Sequence, residues 1–298
     1  MNWLRPVIDH ARKQKHFLVQ ESSNYWRWCK NAIARPTSIV NQKEIRVVGL
    51  RRTGNHAVIV WIRAQHPDNV WHINHPPAGR NPYQFLYTHY KKPDLRREAA
   101  GNFIPKSLLM LSYEDQRLEE ICSKRFEAFH DTYVGISATR FDVLILRDPF
   151  NLLASQLKSN MARLTDSSAS LTLQMWKSYA KEWLKETDFL NHNKLCINFN
   201  KWHRDVGYRQ KIADQLGFTF TDAGRERVKD YGGGSSFDGQ AHDGKASELK
   251  VLDRWGVFNQ VDEFWQLFQD EELLHYVEQI FDVDTLPFHR VKRTIAAK

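Results

Sequence analysis

Short apolar runs alternate with stretches of helical period along most of the chain, and the alternation sets out the predicted elements. Ile45, Val47 and Val48 form a β-branched strand that ends in Gly49. Further strands are predicted over 69–74, 107–113, 141–146 and 194–199. Between them, helical patterns occupy 55–64, 115–126, 150–158, 171–190 and 207–216, the last ended by Gly217. The stretch 80–101, with Tyr87, His89, Lys91 and Lys92, is polar and weakly patterned, as in a loop lying over a site. Residues 245–254 have a mixed pattern, and 255–281 are aromatic and helical.

Strands alternating with helices predict right-handed βαβ units, hence an α/β fold with a mostly parallel, doubly wound sheet flanked by helices. Binding sites in such sheets lie outside the carboxyl ends of the strands. That rule brings the residues from Arg51 to His56, Glu114 and Arg147 to one rim. Residues 1–43 read as a helical N-terminal extension ahead of the α/β domain of 44–298, closed by Pro36. Trp3, Leu4, Val7, Ile8 and Ala11 fall at helical spacing there, and Tyr25, Trp26 and Trp28 cluster beside Arg27 and Lys30. Such interleaving suits a nucleic-acid platform, but packing against the main domain is the expected use.

Composition narrows the classes. A chain of 298 residues that is 42% hydrophobic, with 10 Trp and 17 Phe, has ample material for a core. The net charge of +8 favours an anionic partner: a nucleotide, a sulfated or phosphorylated substrate, nucleic acid or a membrane surface. Cys29, Cys122 and Cys196 are widely spaced and odd in number, which points to a reducing compartment, and Cys196 lies in an apolar run as a buried, inert thiol. Charges interrupt every apolar stretch before Trp26, and no window approaches a membrane span. A soluble, cytoplasmic protein without an integral membrane segment is expected.

The chemistry concentrates after the first strand. Strand, glycine-bounded loop and helix form the geometry in which backbone N–H groups converge on a phosphate. Gly49-x-x-x-x-Gly54 matches the frame of a nucleotide-triphosphate loop. Asn55 and His56, however, stand where Lys and Ser/Thr would reach the terminal phosphates and a magnesium ion. The loop can cradle a phosphate, with Arg51 and Arg52 as its cations, but lacks the parts for γ-phosphoryl transfer. Downstream, 231–237 reads Tyr-Gly-Gly-Gly-Ser-Ser-Phe, which suits a linker or a backbone nest around an anion.

Two of these segments together resemble the sulfotransferase family, whose members share the P-loop-like nucleoside-triphosphate hydrolase fold. Arg52-Thr53-Gly54-Asn55-His56 is similar to the family's first loop, and Leu146-Arg147-Asp148-Pro149 with Ser155 to its second motif; the resemblance covers roughly 44–260. It implies a donor, 3′-phosphoadenosine 5′-phosphosulfate (PAPS), held without a metal. Its 5′-phosphosulfate would meet Arg51, Arg52, Thr53, Gly54, Asn55 and His56, and its 3′-phosphate Arg147 and Ser155. Asn55 and His56 depart from the family's small hydroxyl residues. Gly234, Ser235 and Ser236 stand in for a late glycine-rich nucleotide motif.

The resemblance further implies in-line transfer of a sulfuryl group to a hydroxyl or amine acceptor, whether carbohydrate, lipid or another small molecule. The product would be adenosine 3′,5′-bisphosphate. Arg52 would hold charge on the leaving phosphate, and the base would be Glu114, at the end of the strand over 107–113, or its rival His89. Two alternatives share the sequence features. A P-loop kinase or nucleotide-binding protein keeps the sheet but requires the missing Lys-Ser/Thr pair. A non-enzymatic nucleic-acid-binding protein accounts for the charge and the aromatic cluster, although nucleic acid is not the expected partner.

Overall fold

The computed structural model describes residues 4–34, 37–66, 68–228, 237, 239, 241–288 and 290–291. Its strands are β1 (Ile39–Gly49), β2 (Val70–Asn74), β3 (Lys106–Glu114), β4 (Ile136–Leu146) and β5 (Leu195–Asn198). They form one sheet in the order β2-β3-β1-β4-β5, with every neighbouring pair parallel. The expected α/β sheet is therefore present. β1 lies at its centre, paired with β3 on one side and β4 on the other, so the chain leaves its carboxyl end at the switch point where a crevice opens.

Helices cover both faces. They are α1 (Leu4–Ala34), α2 (Asn55–Ala64), α3 (Pro82–Tyr90), α4 (Pro93–Ala99), α5 (Leu118–Ile121) and α6 (Lys124–Val134). After β4 come α7 (Pro149–Lys158), α8 (Ser168–Trp183), α9 (Phe199–Arg204), α10 (Val206–Gln215), α11 (Asp262–Gln266) and α12 (Glu271–Ile280). The pleat of β1 divides the core. Ile45 and Val47 pack with Val58, Ile59 and Ile62 of α2 and Ile212 of α10. Val48 faces the other layer, with Phe126 of α6, Leu152 of α7, Trp176 of α8 and Val277 of α12. Burial of such side chains on both faces at roughly 25 cal/mol per Å² is the main force holding the sheet.

Several boundaries differ from expectation, each for a local reason. β1 starts at Ile39, inside the stretch read as a helical extension. The polar positions Asn41, Glu44 and Arg46 are buried in the strand because each finds a polar partner: Ser137, His130 and Asp142 respectively. The weakly patterned 80–101 holds two helices rather than a loop. Pro82 and Pro93 occupy first-turn positions, and the Asn81 side chain accepts the N–H groups of Tyr83 and Gln84. The helix predicted over 115–126 is replaced by α5 and α6, because Asp115 takes a left-handed φ of 51° and Ser123 caps a new start. α8 stops at Trp183, short of residue 190: Lys185 turns left-handed, and Glu182 captures the N–H groups of Phe189 and Leu190. The aromatic stretch 255–281 contains a 3-10 turn (Arg254–Phe258), α11 and α12 instead of one helix.

The aromatic cluster of α1 splits. Trp28 stacks on Phe129 at 5.3 Å and donates its indole N–H to the Ala128 carbonyl at 2.9 Å, while Tyr25 and Trp26 remain exposed. Pro36 lies outside the described residues, as do Gly234, Ser235 and Ser236. The three cysteines are free thiols, and burial pushes Cys196 up to about 11 and Cys122 up to about 12. No helix among the described residues is long and apolar enough to cross a membrane.

Candidate functional site

The carboxyl end of β1 runs into a loop braced from two sides. Gly49 faces the Asn55 side chain so closely that a Cβ there would lie 2.2 Å from Oδ1. Asn55 donates to the Leu50 carbonyl at 3.0 Å and to Glu114 Oε1 at 2.9 Å. The residue standing where a P-loop lysine would be is thus spent on loop and strand. Arg52 takes a left-handed φ of 71°, and Gly54 caps α2 at a φ of 100° with no side-chain cap. At Gly54 a Cβ would strike the Phe199 ring at 2.1 Å, so the close approach of α9 also requires glycine. Gln156 and Arg147, from α7 and the end of β4, donate to the Arg51 and Arg52 carbonyls, both at 2.9 Å.

A cavity of about 330 Å³ opens over this loop. Arg51, Arg52, Gly54, Asn55, His56, Glu114 and Arg147 all line it, so residues expected at one rim do converge. Their roles differ. Arg51 is half-exposed and paired with Asp115 through its guanidinium, and its N–H donates to Asp115 at 2.8 Å. Arg147 is buried. Its Nη1 donates to Ser155 Oγ at 3.1 Å, its Nη2 to the Val251 carbonyl, and its Nε has no partner among the described residues. Burial, then the nearby Arg254, push its pKa down to about 9, with Arg52 adding to the effect and Asp148 opposing it.

Two predicted residues sit behind the wall. Ser155 does not line the cavity. Its oxygen accepts both Arg147 Nη1 and Arg254 Nη1 at 3.1 Å, and its proton goes to the Asn151 carbonyl at 2.8 Å. That hydroxyl therefore positions two arginines from behind the cavity wall. Thr53 is buried within the loop, its Oγ1 without a partner among the described residues. His89 is absent from the lining: it lies in the last turn of α3, exposed, with Nδ1 at 2.9 Å from the Phe85 carbonyl.

Glu114 ends β3 in register with Gly49. Burial works against its charge, but the hydrogen bonds of His56 and Asn55 and the charges of His56 and His75 outweigh it, holding the carboxyl below its ordinary value. His56 Nε2 lies 3.5 Å from Glu114 Oε1. The carboxylate is ionised at neutral pH and faces the same space as the arginines.

Other lining residues were not read from the sequence: Phe199, Trp202 and His203 of α9, and Arg225 and Arg254 from weakly patterned segments. Asn151 carries Arg254 into place, accepting its N–H at 2.7 Å and donating to the Leu252 carbonyl at 2.9 Å. Arg225 donates to the His203 carbonyl at 2.8 Å and stands 5.1 Å over Trp202. Burial and then Arg225 push His203 down to about 3, so it is neutral. Phe199 stacks on Trp202 at 5.7 Å, giving the cavity one aromatic wall. Among the described residues, neither Arg147 nor Arg225 forms an ion pair within 4.0 Å.

No protein-family model matches the chain, and no curated protein matches it. Among solved structures, it is similar to the sulfotransferase domain of the Synechococcus PCC 7002 olefin synthase, at 13% identity and a TM-score of 0.49, over 78% of this chain and 95% of that one. It is also similar to mouse sulfotransferase SULT7A1 complexed with PAP, at 13% identity and a TM-score of 0.46, over 86% of this chain and 90% of that one.

Proposed function

We propose that this protein transfers a sulfuryl group from PAPS to a hydroxyl or amine acceptor. One observation carries the reading. Among the described residues, the buried Arg147 and Arg225 form no ion pair, and they line one cavity with Glu114 and the first turn of α2, whose N-cap Gly54 supplies no side-chain bond. A multiply anionic ligand would restore what burial takes from Arg147, and would find Arg225 Nε and Trp202 Nε1 still without partners among the described residues. The residues therefore fit the donor. The position of a P-loop lysine is held by Asn55, which disfavours γ-phosphoryl transfer.

In this reading Arg52 and the loop N–H groups hold the phosphosulfate end, Arg147 and Arg254 the 3′-phosphate, and Phe199 and Trp202 offer a face to the base. Glu114 accepts the proton of the acceptor as its oxygen or nitrogen bonds to sulfur, while the bond from sulfur to the phosphate oxygen breaks. Arg52 offsets the charge that collects on that oxygen. The site belongs to a chain expected to be cytoplasmic.

Calorimetric titration with adenosine 3′,5′-bisphosphate, 5′-AMP and ATP tests the donor. The bisphosphate is expected to bind most tightly, and Arg147→Lys to weaken it by about 1.5–3 kcal/mol with less effect on 5′-AMP. Equal affinities for all three nucleotides, or equal losses in the variant, would refute the assignment.

A further inference from the structure

Between residues 14 and 34, the face of α1 turned away from the sheet exposes several large apolar side chains, although the helix is already anchored on its opposite side. Asn24 exchanges hydrogen bonds with Gln84 at 3.0 and 2.8 Å, and Trp28 packs on α6. Outward, Leu18, Val19, Tyr25, Trp26 and Ile33 are between 59% and 85% exposed. They account for five of the eleven exposed large apolar side chains among the described residues, and the other six are scattered through the chain. Leu18, Val19, Tyr25, Trp26 and Ile33 fall on one side of the helix with Ser22 and Cys29 between them, so the stripe runs for about 22 Å along the helix.

We propose that this stripe lies on the surface of an anionic phospholipid bilayer. Its composition is that of an interfacial helix: aliphatic side chains to enter the acyl boundary, Tyr and Trp for the headgroup level, and lysines at the margin. Lys15 and Lys30 are exposed beside the stripe, with Lys30 Nζ 5.4 Å over the Trp26 ring. Glu21, the one carboxylate of residues 14–34, points the other way and pairs with Arg125. The stripe is thus apolar with a positive margin, in a chain of net charge +8, which complements lipid phosphates.

Charge also disfavours the rival occupants. A second copy of the stripe over residues 14–34 would set two more exposed lysines against Lys15 and Lys30, with no carboxylate of that segment but Glu21, which is turned away. Nucleic acid would use Tyr25 and Trp26 for stacking, but would leave Leu18, Val19 and Ile33 without a role. The inference stands apart from the catalytic reading, since it uses none of the cavity residues.

Flotation of the full chain with phosphatidylcholine vesicles, with and without phosphatidylserine, tests it. The protein is expected to float with the anionic vesicles and much less with phosphatidylcholine alone. The double variant Trp26→Ser/Ile33→Ser should lower partitioning at least about tenfold. Lys15→Glu/Lys30→Glu should lower it about tenfold and abolish the preference for phosphatidylserine. Each variant is checked by thermal melting, and the lysine pair carries the test alone if the apolar pair fails to fold. Absence of flotation, or flotation of both variants like wild type, overturns the proposal. So does a solution dimer that Trp26→Ser/Ile33→Ser dissociates.

Discussion

Two groups of buried charges lie along the same strands and are resolved in opposite ways. Beneath α6, Arg46 makes a bidentate pair with Asp142 at 2.7 and 3.0 Å and donates to Glu127 at 2.8 Å. Arg140 donates to Glu127 at 2.8 Å, and Glu44 joins His130 at 2.7 Å and Ser137. At the carboxyl ends of β1 and β4, Arg147 instead donates to two carbonyls and a serine. Burial opposes the charge on both arginines. Asp142, together with Glu127, more than offsets it for Arg46, whose pKa is raised, whereas Arg254 adds to it for Arg147. The arginines of the first group are paired with its own carboxylates, and the group specifies how α6 and β4 sit on β1. In the second, Arg147 has no ion pair among the described residues, so under the proposed reading an anion completes it, and that contrast marks a candidate site better than the number of arginines does.

The largest test of this contrast is on the site. Under the proposed reaction, Glu114→Gln keeps the bond from Asn55, leaves adenosine 3′,5′-bisphosphate affinity nearly unchanged, and lowers single-turnover sulfuryl transfer by about 10²–10⁴. His89→Ala, outside the cavity, should transfer like wild type. A wild-type rate for Glu114→Gln would remove the carboxylate from the chemistry. In the self-neutralised group the damage should be to stability. Asp142→Ala takes away the bidentate partner of the buried Arg46, leaving it Glu127 at 2.8 Å, and should cost about 3–5 kcal/mol in urea denaturation, with folded protein still binding the nucleotide. A loss below about 1 kcal/mol would mean that Glu127 alone satisfies Arg46.

Much of the frame was legible because parallel strands buried on both faces are written as apolar runs, as in 141–146, and because loop and strand-end residues keep fixed offsets from those runs. Glu114 and Arg147 could be brought to the loop by topology alone. Arg225 and Arg254 could not: they come from segments without periodicity, and Asn151 holds Arg254 through a contact spanning 103 positions. Ser155 was legible as a position, but nothing in the spacing says that two guanidinium groups share its oxygen. Residues 80–101 failed as a loop because capping by Asn81 and two prolines starts helices that have little apolar pattern. The paired charges of β1 were unreadable in principle, because a polar residue in a strand looks the same whether it faces water or a buried partner.

The smallest expected effect sharpens the contrast through pH. Burial disfavours the His130 cation, but Glu44 at 2.7 Å and Asp131 at 2.8 Å outweigh it and raise its pKa to about 9. A cation whose pKa rises on folding contributes stability in full below its unfolded value, about 6.5, and loses that contribution as pH climbs through the folded value. Glu44 has the opposite sign. Burial disfavours its charge, but His130, Arg140 and Ser137 hold it at about 2, so its contribution is complete above its unfolded pKa and disappears as pH falls toward 2. The pair is therefore whole from roughly pH 4.5 to 6.5 and weakens on the alkaline side through His130 alone. Urea denaturation midpoints between pH 6.5 and 9 should fall for wild type and flatten for His130→Gln, which can still donate one hydrogen bond to Glu44. An unchanged alkaline slope in that variant would assign the titration to another group, and would leave the Glu44–His130 contact as packing without a charge.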